Sequence, residues 1–387
     1  MINIESDQPD LRLALESLVE EVERGGGWFH ESLSLVAESG SIRVESSLPV
    51  GRVELLISVP EELLLPIDEI RMRVSGDEIV IDSFTDSATP ERRRLFEIVI
   101  GIYNLCGKLP AHRAASPRFG FPEDGDIARL LAAGREATGH SAENGNDRLL
   151  DDFIHSRLYS HDDGISGKRR EVLMPAVDFF NHHPDAYGFM GETARHPDQP
   201  VIGVEHWKPG ADSRECYVCY SLFDAFDLAV HYGYLERGCR FVKSVPLAVE
   251  LEGLGSLRVR AAASAGIRRE LPSRLRDLRA WMPVILRSGP QEIELSHLII
   301  PGMSDRQALR RVLATMIAAW RPDMDLEAVA EHVATAERAV LAENIRYYEE
   351  LAGGLRLVAE SSPALAESTL EMAMLQLGLL RAYQFGD

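Results

Sequence analysis

The chain has 387 residues, of which 45% are hydrophobic and 26% are charged, and its formal net charge is −20. The length exceeds one ordinary hydrophobic core and predicts two domains, while the acidic charge argues against a nucleic-acid partner because such a chain repels phosphate backbones. No apolar run is long enough to span a membrane and residues 1–23 lack the features of a secretion signal, so we expect a cytoplasmic protein with no membrane partner.

The N-terminal part begins with a predicted helix and continues as strands. Four apolar residues share one helical face, and glycines 25–27 end the helix: Leu11, Leu15, Leu18 and Val22. Short segments rich in leucine and β-branched residues then predict a mostly antiparallel sheet, at residues 33–36, 42–44 and 53–59. Helical periodicity returns in three segments, at residues 92–105, 127–138 and 149–159.

The middle of the chain alternates again before a helical C-terminal part. Strands are predicted at residues 172–177, 201–204, 216–220, 244–251 and 256–262, with a helix at 223–231. The remainder predicts helices. A capping box at Ser304 and Gln307 opens a run to residue 320, residues 325–351 form a long helix ended by Gly353-Gly354, and residues 363–383 form the last helix.

The four cysteines are predicted to be reduced and structural. Cys216 and Cys219 form a C-x-x-C pair, which raises zinc or redox chemistry. In a strand, however, residues three apart face opposite sides of the sheet, and no second pair follows. We therefore expect no metal at this pair.

The densest polar segment of the sequence spans residues 178–185. It contains two aspartates, an asparagine and two histidines: Asp178, Asn181, His182, His183 and Asp185. These residue types suit a metal site or acid–base catalysis, but no H-x-x-x-H spacing and no serine elbow accompany them. Considered alone, the segment is better explained by a hydrogen-bonded turn closed by Pro184, with His183 structural.

Three further motifs surround this segment in a fixed order. The four together are Ser156-Arg157, Pro175-Ala-Val-Asp-Phe-Phe-Asn-His182, Cys216-Tyr-Val-Cys-Tyr220 and His231-Tyr-Gly-Tyr234. In this order they resemble the SET-domain methyltransferases, specifically the branch of the Rubisco large-subunit lysine methyltransferases. The resemblance is specific over residues 156–234 and loose elsewhere.

The resemblance implies an α+β fold in two domains. Residues 1–237 would form a SET-type β fold with a helical insert at about residues 67–155. Residues 238–387 would form a mostly α-helical domain similar to the family's substrate-binding domain. The C-terminal helices also offer a surface for a homodimer.

The resemblance further implies that the cofactor is S-adenosyl-L-methionine. Asn181 and His182 would hold its amino-acid and adenine ends. Ser156 and Arg157 would lie beside it, where the guanidinium can meet the cofactor's carboxylate. No metal is required.

The remaining roles concern the acceptor side of the site. Tyr220 would be the catalytic tyrosine, and Asp178 would support the rim of the active site. Tyr232 and Tyr234 would line the channel through which the target side chain enters, since aromatic walls suit a cationic side chain.

The implied activity is methyl transfer to a protein side chain, with lysine favoured and histidine as an alternative. A basic protein substrate suits the net charge, although solubility explains that charge more simply. Two other functions stay open, which are methylation of a small molecule or peptide and a catalytically silent SET-like binding protein. Departures from the family pattern favour the catalytically silent binding protein. They lie at Gly40-Ser-Ile42, Ser221, Asp224-Ala225 and Tyr234.

Overall fold

The structure is a computed structural model that describes most of the chain. The described residues are 2–135, 145–162, 169–192, 201–261, 277–279, 281–302, 306–358 and 363–385. They include many helices and many strands, which confirms the predicted α+β class.

The described elements comprise ten helices and twenty strands. The helices are α1 (Pro9–Arg24), α2 (Pro90–Leu105), α3 (Lys108–Ala115), α4 (Pro117–Gly120), α5 (Asp126–Gly134), α6 (Gly145–His155), α7 (Ala225–Tyr232), α8 (Arg306–Trp320), α9 (Leu326–Val358) and α10 (Pro363–Phe385). The strands are β1 (Asn3–Ser6), β2 (Trp28–Phe29), β3 (Leu33–Glu38), β4 (Ser41–Ser46), β5 (Leu55–Pro60), β6 (Leu65–Pro66), β7 (Ile70–Ser75), β8 (Glu78–Phe84), β9 (Tyr159–Asp162), β10 (Arg169–Leu173), β11 (Asn181–His182), β12 (Met190–Glu192), β13 (Val201–Glu205), β14 (Tyr217–Val218), β15 (Phe241–Lys243), β16 (Leu247–Leu251), β17 (Gly255–Val259), β18 (Ile285–Ser288), β19 (Glu292–Leu295) and β20 (Ile299–Pro301).

The chain divides into two compact units. The first comprises residues 1–113 and 141–222, and the second comprises residues 114–140 and 223–387. The division between residues 222 and 223 lies upstream of the boundary that the sequence places at residue 237. The two boundaries describe different properties, compactness and function. The predicted boundary at residue 237 therefore stays a prediction.

The described part of the first unit contains five small sheets besides its helices. Their strand orders are β1-β3-β4, β6-β10-β9, β12-β13-β5-β2, β7-β8 and β11-β14. Most neighbours are antiparallel, as the sequence predicts, but β1 pairs with β3 and β11 with β14 in parallel. The predicted strand at 216–220 is shorter than expected, because only Tyr217–Val218 pairs as a strand.

Helix α1 confirms the first sequence prediction. Its buried face contains Leu11, Leu15, Leu18 and Val22, together with Val19. The chain leaves the helix tightly, since a Cβ on Gly27 would lie 2.9 Å from the carbonyl oxygen of Val22. Only glycine allows the backbone to turn so close to the last helical turn.

The insert at residues 67–155 is helical only in part. It opens with the β7–β8 hairpin, whose alternating polar and apolar residues the prediction overlooked. Helix α5 ends at Gly134, and residues 136–138 of its predicted span lie outside the described residues. Helix α6 ends at His155 and not at Tyr159, because Tyr159 begins strand β9. Ser156 and Arg157 therefore lie in the turn after a helix.

The second unit combines helices α8–α10 with a four-stranded sheet of order β16-β17-β19-β18. The sequence predicted only helices after residue 262, so β18, β19 and β20 correct that prediction. Strand β19 buries Ile293 and Leu295 on one face. Its two glutamates pair with an arginine of β17 and with the arginine that directly follows β17: Arg258–Glu292 and Arg260–Glu294, each at 3.0 Å. An alternation of four residues is too short to predict a strand firmly. Ser304 of the proposed capping box lies outside the described residues.

Helix α9 continues through Gly353-Gly354 to Val358, so the predicted helix end is wrong. The two glycines have different surroundings. A Cβ on Gly354 would lie 2.7 Å from Cδ1 of Ile127, whereas a Cβ on Gly353 would meet nothing within 4 Å. Gly354 therefore allows close packing of α9 against α5, which is a different use of glycine from a helix end.

All four cysteine thiols are free. Burial raises the pKa of both Cys216 and Cys239 to about 12, so these thiols stay protonated at neutral pH. Within the described ranges, no cluster of three His, Cys, Asp or Glu side chains is arranged to hold a metal ion. None of the described helices combines the length and apolarity needed to span a membrane.

The glycine pair generates a stability prediction with an internal control. Gly353→Ala should raise the free energy of unfolding by about 0.5–1 kcal/mol, because alanine favours the helix and the site is open. Gly354→Ala should be less stable than Gly353→Ala by about 1–2 kcal/mol, since the new methyl group must displace Ile127. Urea unfolding measures both. Equal stability of the two variants would contradict the packing role of Gly354.

Candidate active site

Strand β11 places Asn181 and His182 beside the segment that leads to Tyr220. It pairs in parallel with β14, with Asn181 opposite Tyr217 and His182 opposite Val218. A short 3-10 turn at Val177–Phe179 precedes the strand. The turn is entered through Ala176, whose φ of 63° lies in the left-handed region that side chains other than glycine rarely adopt. Strained backbone of this kind persists only where the surroundings hold it.

His182 is a buried, neutral imidazole. It is 5% exposed, and its Nδ1 accepts a hydrogen bond from the backbone N–H of Tyr220 at 3.1 Å. Burial, together with the neighbouring His183, lowers the pKa of His182 to about 4. Because Nδ1 is an acceptor, the proton of the neutral ring lies on Nε2. His182 thus fixes the backbone of Tyr220 without carrying charge.

Tyr220 is held at both its backbone and its hydroxyl. Its Oη donates to the carbonyl oxygen of Phe180 at 2.7 Å. Its ring lies 5.3 Å from that of His182 and stacks on Phe189 at 6.3 Å with an interplanar angle of 10°. The phenol therefore points back to the residue that directly precedes Asn181-His182.

Asn181 is exposed and is oriented by a glutamate. Its Nδ2 donates to Oε1 of Glu215 at 2.7 Å, and Tyr217 Oη donates to Oε2 of the same carboxylate at 2.8 Å. The sequence gives no sign of this role for Glu215, because the residue stands at the edge of a short strand among other polar residues. Its position becomes clear only when β11 and β14 are paired.

A second group of side chains, the Asp178 cluster, contains Tyr103, Ser156, Arg157 and Asp178. Tyr103 Oη donates to Asp178 Oδ2 at 2.6 Å, and Arg157 Nε lies 3.9 Å from the same oxygen. Arg157 Nη1 donates to Ser156 Oγ at 3.1 Å, and Ser156 Oγ donates to the carbonyl oxygen of Phe153 at 2.7 Å. The serine hydroxyl thereby satisfies a carbonyl group at the end of α6 and accepts a hydrogen bond from the arginine.

The Asp178 cluster lies close enough to Tyr220 for an electrostatic effect. Tyr103 is fully buried, and burial raises the pKa of its phenol well above the ordinary value; Asp178 adds to this, and the Tyr220 phenol contributes a smaller rise. Sequence reasoning missed Tyr103, because it lies on the buried face of α2 with Phe96 and Val99 and resembles an ordinary core residue. Its hydroxyl distinguishes it only once its partner is known.

Tyr232 and Tyr234 belong to the second unit, in contrast to the other predicted site residues. Tyr232 ends helix α7, and its ring lies 5.5 Å from that of Phe223. Gly233 follows in the left-handed conformation with φ 72°, and the N–H of Tyr234 donates to the carbonyl oxygen of Leu228 at 3.4 Å. Their role in a channel stays a prediction.

Comparison with known proteins yields distant structural similarity only. No family model and no curated protein matches the sequence. The SET domain of LSMT bound to lysine and AdoHcy is 14% identical with a TM-score of 0.39, over 97% of this chain and 92% of that chain. Rubisco LSMT bound to AdoMet is 13% identical with a TM-score of 0.39, over 96% of this chain and 90% of that chain. We base no conclusion on similarities of this size.

The buried His182 generates a pH prediction. Its imidazole should stay neutral from pH 8 down to about pH 5, because its pKa is about 4 in the folded protein. An unfolded histidine binds its proton near pH 6.5, so the unfolded state gains protons first as the pH falls. The free energy of unfolding should therefore drop by about 2 kcal/mol between pH 7 and pH 5 from this residue.

Two measurements check this behaviour of His182. Nitrogen-15 NMR of the imidazole reports its charge and tautomer directly, and the His182→Asn variant should show a shallower fall of stability between pH 7 and pH 5. A His182 resonance that titrates with a midpoint above pH 6 would show that the ring is not held neutral.

Proposed function

We propose that this protein transfers a methyl group from S-adenosyl-L-methionine to a protein side chain. The observation that carries the proposal is the bond from Tyr220 Oη to the carbonyl oxygen of Phe180 at 2.7 Å. It brings the candidate catalytic tyrosine to the residue before Asn181-His182, as the order of the motifs leads us to expect. The same two motifs are joined again through His182 Nδ1.

The residues of the Asp178 cluster fit the charged end of this cofactor. Arg157 Nε is buried and makes no hydrogen bond to any residue in the described part of the chain. Its nearest acceptor is Asp178 Oδ2 at 3.9 Å, which is too far for a hydrogen bond, and a guanidinium presents several donors that suit a carboxylate. Arg157 would bind the cofactor's carboxylate, and Ser156 would hold the guanidinium. Asn181, which is exposed, and the backbone of His182 would hold other parts of the cofactor.

When bound, S-adenosyl-L-methionine supplies an electrophilic methyl group on a sulfonium. The chain's own contribution is to orient and to exclude water, since in-line displacement depends strongly on alignment. The Phe180 carbonyl and the Tyr220 phenol offer oxygens to the partial positive charge that develops on carbon. The Tyr220 hydroxyl is itself oriented by its hydrogen bond to that carbonyl.

Lysine is the favoured acceptor, and histidine is the alternative. A lysine amine must lose its proton before it reacts, and a partly dry aromatic site promotes that loss by penalising charge. The net charge of −20 favours a basic protein as substrate. Methylation of a small molecule or peptide at the same site is the second candidate. A cytoplasmic location, the substrate-binding role of residues 238–387 and a homodimer remain parts of this proposal.

Cofactor binding tests the proposal first. Titration calorimetry with S-adenosyl-L-methionine should show saturable binding to the wild type. Asn181→Ala should weaken the affinity roughly tenfold, as expected for the loss of one well-placed hydrogen-bonding group. Asn3→Ala is the matched control, because Asn3 is also exposed and also donates to a glutamate, Glu5, at 2.7 Å. No heat of binding at high micromolar cofactor would refute the proposed function.

Tyr220→Phe separates transfer from binding. The variant should retain the cofactor affinity of the wild type, because the backbone N–H that bonds His182 is unchanged. Transfer of a labelled methyl group to proteins of a cell lysate should fall about a hundredfold, as for the loss of one preorganised polar group at a reacting centre. Amino-acid analysis of the labelled band then distinguishes methyllysine from methylhistidine.

Three outcomes of this experiment would count against the proposal. A label that appears only in small molecules would favour the second candidate over a protein acceptor. Equal losses of cofactor binding and of transfer in Tyr220→Phe would remove the tyrosine from its catalytic role. Binding without any transfer by the wild type would favour a catalytically silent protein.

A further inference from the structure

Tyr103 is the member of the Asp178 cluster that no sequence motif contains. It lies on α2, within the insert, and is 2% exposed. Its hydroxyl hydrogen bond to Asp178, at 2.6 Å, has the usual length of a bond from an O–H donor to a carboxylate. A buried tyrosine could lie in the core without such a bond, so the choice of phenol over phenylalanine needs an explanation.

The Asp178 carboxylate is costly to bury. Burial raises the pKa of Asp178, and three groups oppose this: the Arg157 guanidinium, the Tyr103 hydroxyl and the Lys108 ammonium. Lys108 has the smallest effect of the three on Asp178, and burial and the nearby Arg157 lower the pKa of its own amine. The hydrogen bond from Tyr103 is therefore a main stabiliser of the ionised form, next to Arg157.

Tyr103 also contacts Arg157 directly. The Arg157 guanidinium lies 4.2 Å from the ring centre of Phe153 and 5.3 Å from that of Tyr103. Its Nε faces the same Asp178 oxygen that receives the Tyr103 hydroxyl, at 3.9 Å. One tyrosine thus fixes the carboxylate through its hydroxyl and borders the guanidinium with its ring.

We infer that Tyr103 is a positioning residue of the cofactor site. Its hydroxyl fixes the Asp178 carboxylate, and through it Arg157, in the orientation that receives the carboxylate of S-adenosyl-L-methionine. The inference rests on the proposed function. It gives the insert a part in binding the cofactor, in addition to any part in choosing the substrate.

Tyr103→Phe tests the inference, because it removes one oxygen and keeps the ring against Phe153 and Arg157. The affinity for S-adenosyl-L-methionine at neutral pH should fall roughly tenfold, the effect of losing one hydrogen bond to a charged group. Tyr347→Phe is the control, since Tyr347 is also buried and also donates one hydrogen bond, to the carbonyl oxygen of Leu130 at 2.8 Å. It should leave the affinity unchanged.

The pH profile distinguishes positioning from a general loss of stability. Binding should weaken as the pH falls through the pKa of Asp178, because the protonated carboxyl no longer orients Arg157. Without the Tyr103 hydroxyl, the ionised form is less stabilised and the pKa of Asp178 rises further. The acid limb of the binding curve should therefore move to higher pH in Tyr103→Phe and stay in place in Tyr347→Phe. Carbon-13 NMR of the Asp178 carboxyl follows the same shift in the cofactor-free protein.

The outcomes separate this inference from the proposed function. If the wild type binds the cofactor and Tyr103→Phe matches it at every pH, the positioning role is overturned and the proposed function stands. If the wild type does not bind the cofactor, both are overturned. A thermal midpoint lowered equally in Tyr103→Phe and Tyr347→Phe, with weaker binding and a moved acid limb only in Tyr103→Phe, supports the inference.

Discussion

The candidate active site depends on the two hydrogen bonds by which Tyr220 is tied to residues 180–182. One joins the backbone N–H of Tyr220 to His182 Nδ1, and the other joins its hydroxyl to the Phe180 carbonyl. The first requires an imidazole whose Nδ1 lone pair is available, and burial provides this by disfavouring protonation. The constraint is mutual, because the same bond fixes the tautomer of His182. The buried, neutral His182 therefore holds the backbone of Tyr220, while the Phe180 carbonyl holds its phenol oxygen.

The opposite electrostatic solution occurs at the Asp178 cluster. There, burial also disfavours charge, yet the carboxylate has a guanidinium and a phenol as partners. Burial raises the pKa of the Asp178 carboxyl, and the neighbouring Arg157 guanidinium opposes that rise. A buried ion pair of this kind is weak evidence for stability, because desolvation of the two charges offsets their attraction.

The sequence predicts this site unevenly, for physical reasons. Ordered motifs predict that Asn181, His182 and Tyr220 are site residues. A periodic apolar face predicts helix α1. Tyr103 could not be found, since a tyrosine on an apolar helical face has the pattern of a core residue until its hydroxyl partner is known. The helix end predicted at Gly353-Gly354 is wrong for a related reason. Glycine often ends a helix, but it also allows close packing, as Gly354 does. Both errors concern residues whose role depends on a partner distant in the sequence.

Asp224 shows that a departure from a family pattern can keep the local structure intact. Its Oδ1 accepts the backbone N–H of Asp227 at 2.9 Å, and Asp227 Oδ2 accepts that of Asp224 at 3.3 Å, so the pair forms a capping box for α7. Arg135 bonds both carboxylates at 2.7 Å, and Lys243 bonds Asp227 at 2.7 Å. Aspartate begins a helix as well as serine or asparagine does. The aspartate at this position therefore supports the start of the helix that ends at Tyr232.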